Sequence, residues 1–176
     1  GKSTVAVNLA VILAQKGIKT VVVDLDLQFG DLAVMLDLNP TRTISDLVGE
    51  AKELDRETVS AFLQQHKTGL AVLAAPLRPE EGELVKGSHI AQILKILQGM
   101  FTYVIVDTAQ GFTEGTLQSM EIGDEILLVS TLDLPTIKNI RLAWDLLQSL
   151  GHGDDQTKLI FNRCSPDNDL TPQMVS

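Results

Sequence analysis

Four residues at the start of the chain have the types and the order of a phosphate-binding turn. Gly1, Lys2, Ser3 and Thr4 match the end of the pattern G-x-x-x-x-G-K-[ST], in which a glycine-rich turn leads into a helix. Backbone N–H groups of such a turn, together with the helix N-terminus, bind phosphate oxygens. We expect Lys2 to reach the β- and γ-phosphates of a nucleotide, Ser3 to bind Mg²⁺ and Thr4 to approach the α-phosphate. A Ser/Thr helix cap beside an unrelated lysine is the simpler alternative.

A second candidate ligand for Mg²⁺ ends an apolar segment in the middle of the chain. The stretch "YVIVDTAQGF" places Asp107 directly after four strand-forming residues. This pattern is typical of a Walker B strand, in which the aspartate holds Mg²⁺ directly or through water. Residues 108–111 would then form the turn toward the γ-phosphate. An aspartate that only caps the following helix is the alternative.

Further polar side chains follow two other predicted strands. Asp24 and Asp26 end the stretch "TVVVDLD", and Asn162 ends "KLIFN". Open parallel sheets bind ligands in the crevice at the carboxyl ends of their strands, which is where these side chains are expected. Asp24 and Asp26 lie two residues apart on an extended segment, so their side chains point to the same side. Two solvated loop carboxylates and an asparagine in a surface turn are the simpler alternatives.

The segments around these residues alternate between apolar strands and helices. The expected strands are residues 20–24, 70–75, 103–107, 125–130 and 158–162. The expected helices are residues 3–16, 56–65, 89–97, 113–122 and 136–150, and the first should present Val5, Leu9, Ile12 and Leu13 on one face. This alternation predicts an α/β fold of the P-loop NTPase type, a doubly wound and mostly parallel sheet with helices on both faces.

The pattern also predicts how the chain is organised. We expect one P-loop ATPase domain over residues 1–176. The strand and the first glycines of the phosphate-binding pattern do not precede Gly1, so we expect an N-terminally truncated fragment of a longer protein. In this fold that strand is central, and its loss would leave unpaired backbone groups. We therefore expect the fragment alone to bind ATP weakly or not at all.

Composition narrows the functional classes. The 176 residues are 44% hydrophobic and contain a single cysteine, Cys164, which favours a globular domain in a reducing compartment. A net charge of −9 disfavours a broad electrostatic hold on DNA. The chain shows neither an apolar run long enough to cross a bilayer nor a signal peptide, so we expect a cytoplasmic domain with no direct membrane segment. The three histidines lack metal-ligand spacing.

Several of these stretches together resemble a known family. The segments "GKST", "VVVDLDLQFGD", "YVIVDTAQGF" and "LIFNR" occur in the order and spacing of the ParA/MinD family of deviant Walker A ATPases. Within that family, "DLDLQFGDLAVMLDL", "GLAVLAAPLRPEEGELV" and "DEILLVSTLDLPTIKNIRLAWDLL" are most similar to the CpaE/TadZ branch. Members of that branch are pilus-assembly ATPases that position the machinery of Flp/Tad type IV pili.

The resemblance implies roles for individual residues. Asp26 takes the position of the carboxylate that orients the attacking water, and Lys2 completes the catalytic pair. Asp24 would support either the Mg²⁺ shell or the switch segment, and Asn162 would contact adenine. The resemblance further implies a Mg²⁺-dependent ATPase that forms a homodimer around ATP, with pilus-assembly or other polar proteins as partners. Recruitment to a cell pole or to the inner face of the membrane is compatible with it.

The chain also departs from the family pattern, and other functions stay open. The family's signature lysine lies upstream of Gly1, and the proline that usually follows the Walker B aspartate is replaced in Asp107-Thr108-Ala109-Gln110-Gly111, which predicts a looser turn. One alternative function is a pole-localising scaffold of the same fold without hydrolysis. A dinucleotide-binding oxidoreductase, with Asp24 at the ribose, is another. A chromosome- or plasmid-partitioning ATPase is disfavoured by the negative charge.

Overall fold

The computed structural model describes residues 1–164. The helices are α1 (Lys2–Gln15), α2 (Leu32–Met35), α3 (Ile44–Glu50), α4 (Arg56–Phe62), α5 (Gly87–Gln98), α6 (Glu114–Ile122) and α7 (Leu134–Ser149). The strands are β1 (Thr20–Leu25), β2 (Gln64–Gln65), β3 (Ala71–Leu73), β4 (Tyr103–Thr108), β5 (Ile126–Ser130) and β6 (Thr157–Phe161). A 3-10 helix covers Pro79–Leu84. The described chain divides into two compact units, residues 2–122 and residues 123–164 together with Gly1.

The first unit is built on a four-stranded sheet with the order β2-β3-β1-β4. β1 pairs in parallel with β3, where Val22 faces Val72, and with β4, where Asp24 faces Asp107. β1 is buried along its whole length, as its run of valines predicts for a strand covered on both faces. One face packs against α3, α4 and α5, and the other packs against α1. The predicted α/β fold with a mostly parallel sheet and helices around it is confirmed.

The first helix buries a different face from the expected one. α1 packs its small residues Ala6, Ala10 and Ala14 inward, whereas Ile12 of the expected apolar face is 50% exposed. Beyond its first turn the helix has only Asn8 and Gln15 as polar residues, so periodicity gave little information about the buried face. Alanines allow the helix axis to lie closer to the sheet. α1 ends at Gln15, one residue before the expected end, and Gly17 follows with a φ of 76°, which permits the closing turn.

The end of the expected helix 56–65 is also wrong. α4 ends at Phe62, and Gln64–Gln65 forms the antiparallel edge strand β2, in which Gln64 faces Val72 of β3. The edge of β3 offers backbone hydrogen bonds that the last turn of a helix lacks, and this tertiary pairing overrides the local helical pattern. The short helices α2 and α3 and the 3-10 helix were not predicted.

The second unit contains a parallel pair of strands joined by a long helix. β5 and β6 pair in parallel from Ile126 facing Thr157 to Ser130 facing Phe161. α7 connects them and begins at a capping aspartate, because Asp133 Oδ1 accepts a hydrogen bond of 2.9 Å from the Thr136 N–H. Both strands and the helix confirm the sequence expectation. Among the helices of residues 1–164, none combines the length and the apolar composition needed to cross a bilayer.

The capping box of α3 gives a prediction for stability. The buried Thr43 hydroxyl accepts from the Asp46 N–H at 3.4 Å, and the Asp46 carboxylate accepts from the Thr43 N–H at 2.8 Å. We expect Thr43→Ala to lower the free energy of unfolding by about 1–2 kcal/mol, measured by urea denaturation. The exposed Thr41→Ala is the matched control and should change it by less than about 0.5 kcal/mol. Equal effects of the two substitutions would show that the cap contributes nothing.

Candidate functional site

The first unit brings the start of α1 to the carboxyl ends of β1 and β4. α1 runs into β1 through the tight turn at Gly17, so the helix is antiparallel to the strand and its N-terminus lies at the strand's carboxyl end. Lys2 and Ser3 stand in the first turn of this helix, and both are close enough to Asp107 to lower its pKa. The predicted phosphate-binding residues and the Walker B aspartate therefore share one site.

Asp107 is a buried carboxylate whose pKa is raised by some neighbouring groups and lowered by others. Its side chain is 4% exposed, and burial raises the pKa of the Asp107 carboxyl above its usual range. The Ser3 hydroxyl and the Lys2 ammonium act in the other direction, while the charge of Asp26 raises the pKa further. A buried carboxylate whose negative charge is only partly compensated is stabilised when a cation binds beside it.

Asp24 lies beside Asp107 and is held still more closely by the protein. It is 1% exposed, and burial raises the pKa of its carboxyl to about 7, with a smaller contribution from the charges of Asp107 and Asp26. Two backbone hydrogen bonds oppose this shift. The Asp26 N–H donates to Asp24 Oδ1 at 3.1 Å, and the Leu32 N–H donates to Asp24 Oδ2 at 3.1 Å. Both oxygens of Asp24 therefore contact the segment that follows β1.

Asp26 stands one residue beyond the end of β1 and is partly exposed. Its Oδ1 accepts a hydrogen bond of 3.1 Å from the Phe29 N–H, so the side chain closes a local turn onto its own backbone. The pKa values of Asp24 and Asp107 both respond to the charge of Asp26, which places the three carboxylates near one another. Oδ2 of Asp26 takes no part in that turn.

The donor set fits Mg²⁺ when phosphate supplies the remaining ligands. In residues 1–164 no group of three His, Cys, Asp or Glu side chains could hold a metal ion by itself. Mg²⁺ commonly uses one or two carboxylates together with waters and substrate phosphates, and Asp107 with the Ser3 hydroxyl meets that description. The place of Asp24 in the metal shell stays a prediction. Its contacts favour the other expected role, support of the switch segment.

The burial of Asp24 also bears on the dinucleotide alternative. That function requires a carboxylate open to the ribose hydroxyls. Asp24 is 1% exposed and accepts two backbone N–H groups, so its oxygens are directed into the protein. The structure thus offers no ribose contact at this position.

The remaining predicted residues have defined surroundings but untested roles. Thr4 is exposed on the first turn of α1, and its carbonyl oxygen accepts from the Asn8 amide at 2.8 Å. Asn162 follows β6 in the second unit, where its N–H donates to the Ser130 carbonyl at 2.7 Å and its Oδ1 accepts from the Arg163 N–H at 2.9 Å. Gly1 is grouped with the same unit. The phosphate contacts of Gly1 and Thr4 and the adenine contact of Asn162 stay predictions.

Two glycines near the site were not singled out from the sequence. A Cβ atom on Gly30 would lie 2.3 Å from Ala75 Cβ and 2.6 Å from Asp24 Oδ2, and one on Gly82 would lie 2.7 Å from the Leu27 carbonyl oxygen. The segments after β1 and β3 therefore pack so closely beside Asp24 that neither position has room for a side chain. In the sequence, only the position of Gly30, two residues before α2 begins at Leu32, pointed to this close packing.

A groove of about 700 Å³ opens at the amino ends of the parallel strands in the first unit. It is lined by Lys19 before β1, Phe101 before β4 and residues of α4 such as Arg56. None of the predicted site residues reaches it. Ligands of open parallel sheets bind at the carboxyl ends of the strands, so we place the functional site at Asp24 and Asp107.

Several known proteins are similar to this chain in sequence or in fold. The septum site-determining protein MinD of Thermotoga maritima is 29% identical over 170 residues, which are 94% of this chain and 60% of the relative. A ParA family ATPase from Chlorobium tepidum has a TM-score of 0.90 at 22% identity, covering 98% of this chain and 73% of that one. MinD complexed with Mg-ADP from Pyrococcus horikoshii has a TM-score of 0.84 at 23% identity, covering 99% and 70%.

Almost the whole of this chain aligns with the Thermotoga maritima relative, but it spans only about three fifths of that relative's length. A family model described as "AAA domain" matches residues 1–152. The similar structures agree with the fold, and the family match together with the MinD relative shows that the chain belongs to the ParA/MinD family of P-loop ATPases.

Proposed function

We propose that this chain is the nucleotide-binding and hydrolysing part of an ATP-driven positioning switch. One observation supports this most directly. Lys2 and Ser3 at the start of α1 converge with Asp107 at the end of β4, and Asp26 lies near enough to raise the pKa of Asp107. Such a set can bind phosphate, hold a cation and orient a water molecule, which together are the needs of phosphoryl transfer.

The proposed mechanism assigns one task to each side chain. The first-turn N–H groups of α1 and the Lys2 ammonium bind the β- and γ-phosphate oxygens. Asp107 and the Ser3 hydroxyl would hold Mg²⁺, which would supply neutralisation of charge on the phosphates. The Asp26 oxygen that is not used in the turn with Phe29 accepts a hydrogen bond from water and directs that water toward the γ-phosphorus. Positioning and charge neutralisation supply most of the catalysis in this scheme.

The switch itself requires two states of the whole protein. We propose that ATP holds two copies together with nucleotide between them, and that hydrolysis releases them. Asn162 would contact the adenine, as the family resemblance implies. A MinC:MinD cell division protein complex from Aquifex aeolicus, with a TM-score of 0.75 to this chain, shows one related protein bound to a partner. A partner protein that binds only one of the two states, the ATP-bound dimer or the separated copies, would respond to hydrolysis.

The first prediction for this function concerns Lys2. Lys2→Ala in the full-length protein should weaken ATP binding by about 10- to 100-fold, because a charge-assisted hydrogen bond to phosphate contributes about 1.5–3 kcal/mol. Titration calorimetry with Mg-ATP measures the change. Lys16→Ala, at the exposed end of the same helix, is the matched control and should bind as the wild type does. Equal binding by all three proteins would remove Lys2 from the site.

Asp26 allows binding to be separated from hydrolysis. Asp26→Ala in the full-length protein should lower turnover by about 100-fold or more, since the water loses the group that orients it. ATP binding and ATP-dependent dimerisation should persist, measured by calorimetry and light scattering in the same samples. The exposed Asp31→Ala is the control, because that side chain makes no cap hydrogen bond to α2. Turnover unchanged in Asp26→Ala would contradict the assignment.

The same experiment separates the switch from a scaffold. A pole-localising scaffold would bind nucleotide without turnover in the wild type, and Asp26→Ala would then change nothing. The local carboxylate and lysine set gives the hydrolysing switch the stronger support. A partitioning ATPase would bind DNA, and co-sedimentation of the full-length protein with DNA would test that function against the net charge of −9.

The machine that the switch positions is a finer part of the proposal. We propose Flp/Tad type IV pilus assembly, on the resemblance of three long segments to the CpaE/TadZ branch. Septum placement is the second candidate, because the relatives from Thermotoga maritima and Helicobacter pylori carry that name at 29% and 28% identity. A deletion strain should lose surface pili, counted by electron microscopy, and divide normally. Minicells with normal piliation would favour septum placement instead.

A further inference from the structure

The segment that carries Asp26 is tied to the sheet at both ends by one buried side chain. We propose that Asp24 is a positioning residue that holds residues 26–32 closed and thereby fixes Asp26 for hydrolysis. This inference rests on the proposed hydrolytic function of Asp26. It assigns to Asp24 a task separate from the binding of metal or phosphate.

The geometry of the ladder makes such a residue necessary. Pairing between β1 and β4 ends with Leu25 facing Thr108, so Asp26 stands just outside the hydrogen-bonded sheet. Its backbone is fixed instead by the bond of 3.1 Å from its N–H to Asp24 Oδ1. A side chain placed on a segment beyond the ladder keeps its position only if such local contacts restrain that segment.

The second oxygen of Asp24 fastens the far end of the same segment. Asp24 Oδ2 accepts from the Leu32 N–H at 3.1 Å, and Leu32 is buried at the start of α2. Between these two anchors Leu27 packs against the core, whereas Gln28 and Phe29 are exposed, Phe29 to 74%. One carboxylate thus restrains the two ends of a segment whose tip lies in solvent.

The type of side chain at position 24 agrees with this role. Both bonds are donated by backbone N–H groups, so both atoms at the tip of residue 24 must be acceptors. A carboxylate meets this condition. An asparagine of nearly the same shape would turn one N–H₂ group toward a backbone N–H and lose one of the two bonds.

Gly30 closes the segment over Asp24 from the other side. The space that a Cβ on Gly30 would occupy lies 2.6 Å from Asp24 Oδ2 and 2.3 Å from Ala75 Cβ. A methyl group there must push the segment away from Asp24, yet it changes no charge and removes no candidate metal ligand. Gly30→Ala therefore disturbs the proposed restraint by a route independent of Asp24 chemistry.

These two routes define the experiment. Asp24→Asn, Gly30→Ala and the control Gly49→Ala are made in the full-length protein; a Cβ on Gly49 in α3 meets nothing within 4 Å. We expect Asp24→Asn and Gly30→Ala both to lower kcat by about tenfold or more, because a small displacement of Asp26 misplaces the water. The KM for ATP should stay within about twofold, as expected when an interaction of the transition state alone is lost. The Mg²⁺ concentration for half-maximal rate should not change, and Gly49→Ala should match the wild type.

Amide hydrogen exchange supplies a readout that does not depend on turnover. The amides of residues 26–32 should lose protection in Asp24→Asn and Gly30→Ala, whereas those of β1 and β4 keep it and show that the fold is intact. Unchanged protection in both variants would overturn the restraint even in a protein without ATPase activity. A rise in the Mg²⁺ requirement in Asp24→Asn alone, with Gly30→Ala like the wild type, would overturn the inference and assign Asp24 to the metal. Loss of protection in both variants, when the wild type itself does not hydrolyse ATP, would retain the restraint and reject the hydrolytic function.

Discussion

Asp24 of β1 and Asp107 of β4 are register partners, which places two carboxylates side by side at the carboxyl end of the sheet. Burial raises the pKa of both groups, and the nearby charge of Asp26 raises them further. Like charges removed from water are costly unless donors and cations surround them. Backbone N–H groups stabilise the Asp24 carboxylate, and the Ser3 hydroxyl and the Lys2 ammonium stabilise that of Asp107. The arrangement of α1 and of the segment after β1 follows from this need.

The two carboxylates meet different partners, and this difference separates their tasks. Asp24 is satisfied by the protein itself, because each oxygen accepts a backbone hydrogen bond. Asp107 faces side chains from the first turn of a helix, where anions bind and a cation can bridge to them. In the proposed mechanism these two aspartates, paired across neighbouring strands, would serve one structural and one ligand-binding purpose. Their sequence context, the end of an apolar strand, is the same in both cases.

That shared context explains what the sequence could predict and what it could not. The valine run of β1 and the apolar run of β4 identify buried parallel strands, and their final aspartates identify the site edge. The roles of Asp24 stayed open because its hydrogen-bond partners come from Leu32 and Asp26, whose positions depend on the fold of the connecting segment. The strand at Gln64 was missed for a similar reason, since only the edge of β3 makes an extended conformation favourable there. The buried face of α1 was predicted wrongly because few polar residues mark its exposed side.

The turns that follow β1 and β4 differ in how strongly they are restrained. After β1, Gly30 packs against Ala75 and Asp24 with no space for a methyl group. After β4, Gly111 has a φ of 83° and lies in open space, where a Cβ would meet nothing within 4 Å. An unpacked glycine turn can change conformation at little cost, whereas the packed one resists change. In the proposed switch, the γ-phosphate therefore lies between a fixed water-orienting segment after β1 and an adaptable turn after β4. Because only the turn after β4 is free to change conformation, we expect loss of the γ-phosphate to alter that turn first.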